Sequence, residues 1–206
     1  MSLQSIIKTG AILVGVALVV ISGCFLYTFY VRLQAEKCLQ TMQQLRVGSS
    51  TREETQKILG RFRGFEVDGT AVINGEKYSS QTYRFENKGL HLLGIFHPAR
   101  FQTGVIFRDG VVIVKSAGFL TEPFQTVGTR ESVTGLLQNV SLNESPSGIL
   151  VGLYDPPKKM DIFLDTRASA STRKMAYGYN LACFTSLSGC RSVYEILPSV
   201  KQQATK

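Results

Sequence analysis

The sequence predicts an α+β protein, an N-terminal transmembrane helix followed by an antiparallel-sheet domain with a few helices packed on one face. Three observations carry that expectation. From Thr9 to Val31 no residue is charged, between Lys8 and Arg32. A capped helix then begins at Ser50-Thr51. Beyond it, β-rich arms are separated by Asn74-Gly75, Asn87-Lys88-Gly89 and Asp109-Gly110. Strands joined by turns this short form an antiparallel meander, which buries one face against helices.

The uncharged run, read as a helix at 1.5 Å per residue, covers about 34 Å, slightly more than the roughly 30 Å of bilayer hydrocarbon. Within it, Ile21-Ser22-Gly23-Cys24 has the form of a lipoprotein box, so one alternative is a lipoprotein acylated at Cys24. A cleaved signal carries a shorter apolar segment, about 7–15 residues, followed by small polar residues. Here Phe25, Leu26, Tyr27, Phe29, Tyr30 and Val31 follow the cysteine. Tyr27 and Tyr30 also sit where amphipathic rings favour the headgroup layer. Cys24 is therefore read as an interior residue of a single span covering residues 1–31.

Residues 32–46 continue the helix as a stalk, with Leu33, Ala35, Cys38, Leu39, Met42 and Leu45 forming a helical stripe that Gly48 breaks. Ser50 with Glu53, or Thr51 with Glu54, offers a capping box in two registers, and the two acids suit a helix N-terminus. Gly60 is the expected stop. Strands are predicted at 65–73, 78–86, 90–96, 104–107 and 111–116. Asp109-Gly110 is the clearest hairpin, since Asp-Gly suits a primed turn. A looser stretch, 120–134, containing Pro123, separates an expected first unit at 47–120 from a second β-rich lobe at 121–206. In that lobe, strands are expected at 149–154, 160–164 and 175–184, a loop at Asp155-Pro156-Pro157, and a short helix over 192–197.

The stretch LRVGSSTREETQKILG, residues 45–60, resembles the opening of the SmpA/OmlA (BamE-like) domain, in which a Gly, a Thr-capped helix and a Leu-Gly end precede a small antiparallel sheet. Gly48, Thr51 and Leu59-Gly60 carry the likeness, and residues 45–116 continue it in outline. One extra residue lies between Gly48 and the cap, Thr55 replaces an aliphatic, and Arg61-Phe62 stands where the family tends to have proline. The resemblance implies a scaffolding role in the cell envelope, and brings no catalytic residue. The whole chain is also similar to single-span bacterial membrane proteins in which a segment like CFTSLSGC recurs.

Cys183 and Cys190 flank a loop containing Ser186, Ser188 and Gly189, read as a small disulfide loop; the alternative is two unrelated buried thiols. A disulfide implies an oxidising compartment. Arg32, Lys37 and Arg46 after the span lean weakly toward a cytoplasmic domain. The cysteines outweigh them, and the expected location is a bacterial inner membrane, single-pass, with the C-terminal domain in the periplasm.

The net charge of +8 is spread along the chain, with Arg61-Phe62-Arg63, Lys158-Lys159 and Arg173-Lys174 its densest points. Nucleic-acid binding would call for a basic run interleaved with stacking aromatics in a recognisable module, and the charge reads instead as solvated surface or attraction to anionic headgroups. The sequence holds no phosphate loop, dinucleotide fingerprint, nucleophile elbow or zincin motif. His91 and His97 lack a nearby third metal ligand. Asp155, Asp161 and Asp165 read as solvated acids, with Asp161 and Asp165 on one strand face; Tyr177 and Tyr179 read as packing residues. Asn139-Val-Ser141 and Asn143-Glu-Ser145 are glycosylation sequons. No catalytic, cofactor or metal site is assigned. The expected function is a membrane-anchored, noncatalytic interaction or scaffolding domain with a protein partner; the alternative is a small-ligand or lipid-binding module, which would need a pocket between sheet and helices.

Overall fold

The computed structural model describes residues 3–94, 97–121, 125–133, 136, 149–154, 159–186 and 189–200. Both sequons, Asp155 with its two prolines, Lys158, Pro123 and Ser188 lie outside them. The first element, α1 (Leu3–Met42), is one uninterrupted helix of 40 residues. Its first half is apolar and exposed, long and apolar enough to cross a membrane. Its second half is core. Val31, Ala35, Cys38, Leu39 and Met42 are buried, so the predicted stalk is the central helix of the folded body, with Leu33 turned outward.

Seven strands form one sheet in the order β1-β2-β3-β4-β5-β7-β6. They are β1 (Glu66–Ile73), β2 (Glu76–Glu86), β3 (Ala99–Arg108), β4 (Val111–Thr121), β5 (Gln125–Ser132), β6 (Ile149–Tyr154) and β7 (Lys159–Leu164). The first five form an antiparallel meander; β1 to β4 answer to expected strands, whereas β5 does not. Asn74-Gly75 joins β1 to β2 and Asp109-Gly110 joins β3 to β4, all four residues at positive φ as a type I′ turn requires. The sheet is mixed, not antiparallel throughout. After β5 the chain goes first to the edge strand β6, and β7 returns between them, antiparallel to β6 and parallel to β5. The stretch expected to be loose, 120–134, contains β5, which bonds to β4 on one side and β7 on the other. Strands on both sides of it therefore share one sheet.

Two predicted strands are helical. In place of 90–96 stands α3 (Lys88–Leu92), preceded by Asn87. Asn87 Oδ1 accepts from the Ala99 N–H at 2.8 Å, while its amide donates to the carbonyls of His97 and Phe184. That clamp turns the chain away from β2 and presses α3 onto α1, where Leu90 is buried. Short apolar runs fit either helix or strand, and packing decides between them. In place of 175–184 stand α4 (Ala170–Ala176) and a 3-10 turn, Leu181–Phe184. Ser169 caps α4 by accepting from the Thr172 N–H at 3.1 Å. Near the C-terminus Ser192 caps α5 (Val193–Ile196).

The capped helix is α2 (Arg52–Leu59), and Thr51 is its cap, accepting from the Glu54 N–H at 3.1 Å. Ser50 serves a different turn: its buried hydroxyl accepts from the Arg46 N–H. Gly60 does not stop the chain but leads into a 3-10 turn, Gly60–Phe65. Residues 48–52 bond to the β3–β4 turn through Gly48 to Val112, Val112 to Ser50 and Arg52 to Gly110. All helices that contribute to the main core pack on one face of the sheet, against Tyr83, Phe85, Phe101, Phe119 and Val127.

Candidate functional site

Alternation sends every second residue of each strand to the opposite face, and the register lines them up. One row runs Arg84–Gln102–Gly118–Gly128–Asp161–Gly152 across six strands. The row on one side of it runs Thr82–Gly104–Ser116–Arg130–Phe163, and the row on the other Glu86–Arg100–Leu120–Thr126–Lys159. Adjacent glycines at the centre leave a trough, with taller side chains on either side. The resulting groove has a volume of about 520 Å³ and is lined by Arg100, Gln102, Leu120, Thr126, Arg130, Lys159, Asp161 and Phe163 around Gly118 and Gly128.

Of the groove-side glycines, Gly104 is sterically specified by the β2 backbone, and Gly128 is approached by a side chain. A Cβ on Gly128 would lie 2.9 Å from Asp161 Oδ1, and one on Gly104 would lie 2.7 Å from the Gln81 carbonyl. The groove's charges are partly spoken for: Lys159 pairs with Asp161 at 3.0 Å and Arg100 with Glu86 at 2.6 Å. Burial alone would raise the Glu86 pKa, but the Lys88 hydrogen bond and the Arg100 and Lys88 charges outweigh it and hold the carboxyl below the ordinary range. Arg130 is exposed and makes no ion pair among the described residues, and Arg84 Nε is buried without a hydrogen-bond partner. The groove thus presents, in Arg130, a guanidinium whose donors are open to a ligand's carboxylates, carbonyls or other oxygens.

On the helix-covered face lies a second polar cluster. Lys115 and Glu131, each 2 % exposed, form an ion pair at 2.9 Å. That contact, to Glu131 Oε2, is not an aligned hydrogen bond, so charge holds it. Arg173 of α4 reaches Glu131 Oε1 at 2.9 Å, and the Lys115 ammonium donates to the Leu45 carbonyl. Tyr177 and Tyr179, expected to pack, do so: their hydroxyls donate to the Lys115 and Ala117 carbonyls. Burial pushes the Tyr177 phenol well above its ordinary pKa, and the Glu131 charge pushes the same way. The cluster joins the end of α1, the sheet and α4, which is a structural task.

Asp161 and Asp165 do not share a face. Asp161 lies in the groove, whereas Asp165 follows β7, is buried, and takes the Arg167 backbone N–H and guanidinium. His91 lies on α3 and His97 before β3, both exposed. Among the described residues no three His, Cys, Asp or Glu side chains converge as a metal site. Cys183 and Cys190 are within disulfide distance, their Cα atoms 5.3 Å apart. The loop between them bonds to α1 through Arg32 and Thr185 at 3.0 Å. Cys24 is half-buried, facing Gly89 of α3.

The groove and the buried ion cluster escape sequence reasoning. The one available signal was glycine inside strands, at 104, 118, 128 and 152, since strand glycines mark places where a ligand or another backbone comes close. Comparison with protein-family models, curated proteins and solved structures gives no match.

Proposed function

We propose that this protein is a membrane-anchored, noncatalytic interaction domain whose partner binds in the groove on the open face of the sheet. One observation carries the reading. The sheet's helix-covered side is a filled core, while the other side holds a glycine-floored groove with an arginine, Arg130, that has no ion-pair partner among the described residues. Arg130 selects for a partner segment that presents carboxylates or other oxygens. Row Glu86–Arg100–Leu120–Thr126–Lys159 lies at the sheet end from which α3 departs toward α1, so the groove opens toward the anchor. A partner lying along the membrane surface suits that geometry. The Cys183–Cys190 pair supports an oxidising compartment, and with it a single-pass protein of a bacterial inner membrane with its body in the periplasm. The SmpA/OmlA likeness over 45–116 is in keeping with a scaffold role; acylation at Cys24 is the competing account of the anchor.

A photoreactive residue at Gln102, in the native membrane, tests the proposal. It should crosslink a protein that an Arg130→Glu chain no longer captures. Reproducible hydrolytic turnover lost on changing Asp161, Asp165 or His97, with no crosslinked partner, would contradict it. The groove's volume also falls within the range of small-ligand sites, about 300–1,000 Å³. Native mass spectrometry of the purified chain would show an anionic molecule retained by the parent and absent from Gly118→Leu if that second reading holds.

A further inference from the structure

We infer that α3 is seated in the interfacial layer of the membrane that α1 crosses, so that the folded body rests against the headgroups and is not held away on a stalk. The inference rests on reading α1 as a membrane span, and concerns where the bilayer ends.

Two sets of residues compete for the same length of α1. On its free side, Leu26, Tyr27 and Tyr30 are 71 %, 53 % and 51 % exposed, and Phe25 and Phe29 are exposed beside them. On its other side the body begins at Cys24, where the backbone of Gly89 is so close that an added Cβ would lie 3.6 Å from the cysteine Cβ. Thr28 and Val31, one and two turns further on, are fully covered. Both sets lie on one helix, since α1 is continuous to Met42.

Suppose first that α3 stays in water. The span then ends near Gly23, and from Ile7 that leaves about 25 Å at 1.5 Å per residue, short of the roughly 30 Å hydrocarbon layer. Five large apolar or aromatic side chains would also face water in one patch. Now suppose the bilayer covers them. About twenty residues counted back from Tyr30 reach Ala11, just inside Lys8, and this fills the hydrocarbon with apolar side chains. Tyr27 and Tyr30 then lie at the headgroup boundary, where such rings accumulate. Cys24 sits about 9 Å deeper than Tyr30 on the same rise per residue. Gly89 packs at that level, so α3 is carried into the boundary, within the depth of about 5–10 Å usual for interfacial helices.

The chemistry of α3 fits the layer. Leu90 is buried toward the body, and Lys88, paired with Glu86 at 3.0 Å, keeps its side chain 77 % exposed at the N-terminal end. A cleft of about 260 Å³ lined by Glu86, Lys88, His91, Pro98 and Arg100 lies beside α3.

The test uses the full chain in phosphatidylcholine–phosphatidylglycerol vesicles, in a Cys24→Ala background. A nitroxide is placed by Lys88→Cys or His91→Cys, and by Val72→Cys as reference. Val72 lies on the β1–β2 hairpin, whose tip is about 33 Å along β2 from Glu86 at 3.3 Å per residue. The inference predicts a severalfold higher ratio of oxygen to nickel-chelate collision at both α3 positions than at Val72. Equal, water-like ratios at all three positions, in a chain that resists alkaline carbonate extraction, would overturn the seating of α3 and leave the span intact. Exclusion of both collision partners at α3 would mean that protein, such as a second copy, covers it, and would also overturn the inference. Release of the parent chain by carbonate would overturn the span and the seating together.

Discussion

The two faces of the sheet are built from alternate residues of the same strands, and they have opposite chemistry. Toward the helices, Tyr83, Phe85, Phe101 and Phe119 make a continuous core, and the buried ions Lys115 and Glu131 satisfy one another there. Away from the helices, the centre of the sheet holds glycines, and Arg130 beside them has no ionic partner among the described residues. One face is given over to cohesion; the other is divided between a small apolar cluster around Tyr78, Val114 and Leu136 and the groove. Substitutions on the first should unfold the protein; substitutions in the groove should leave it folded and alter what it binds.

Glu131→Ala should be the largest effect. It strands the Lys115 ammonium in the core and removes the acceptor for Arg173, so urea denaturation should show a loss of about 3–5 kcal/mol. Replacing the pair together, Lys115→Met with Glu131→Leu, should recover much of that loss; if the double variant is as unstable as the single one, the cluster is held by something other than mutual charge compensation.

Gly104→Ala sharpens the comparison, because this residue belongs to the open face yet is pressed on the β2 backbone. The added methyl meets the Gln81 carbonyl, and overpacking of this kind costs about 1–3 kcal/mol. An unchanged melting temperature would show that β2 and β3 separate more easily than their register implies. Thr51→Ala removes the side-chain acceptor for the Glu54 N–H and should cost about 1 kcal/mol. Ser50→Ala acts through a different turn, at the Arg46 N–H, so the double variant should lose more stability than either single one, and a double-mutant cycle by chemical denaturation measures the coupling of these neighbours.

What the sequence disclosed was local. Asn74-Gly75 and Asp109-Gly110 announce their turns because few residue pairs accept positive φ twice in succession. Thr51, with acids behind it, announces α2, and the uncharged run announces α1. Elements decided by tertiary packing were hidden: α3 follows from an asparagine clamp and from contact with Cys24, neither of which leaves a pattern within residues 88–92. The Ser169 cap that starts α4 was legible in principle, but the apolar residues from Met175 onward read equally well as a strand. The parallel pairing of β5 with β7 depends on the chain reaching the sheet edge first. As for the groove, Gln102, Gly118, Gly128 and Asp161 come together only through register, and no spacing along the chain encodes that row.

The smallest expected effect on stability is the most informative about function. Arg130→Ala lies on the exposed rim, where such changes stay within about 0.5 kcal/mol. Crosslinking from Gln102 in the native membrane, compared between the parent, Thr51→Ala and Arg130→Ala chains, tests the interaction reading most directly when urea midpoints are measured alongside. The account predicts that Arg130→Ala keeps the parental midpoint and loses the crosslinked partner, while Thr51→Ala lowers the midpoint and, below its unfolding range, keeps the partner. Capture undiminished by Arg130→Ala at an unchanged midpoint would contradict it.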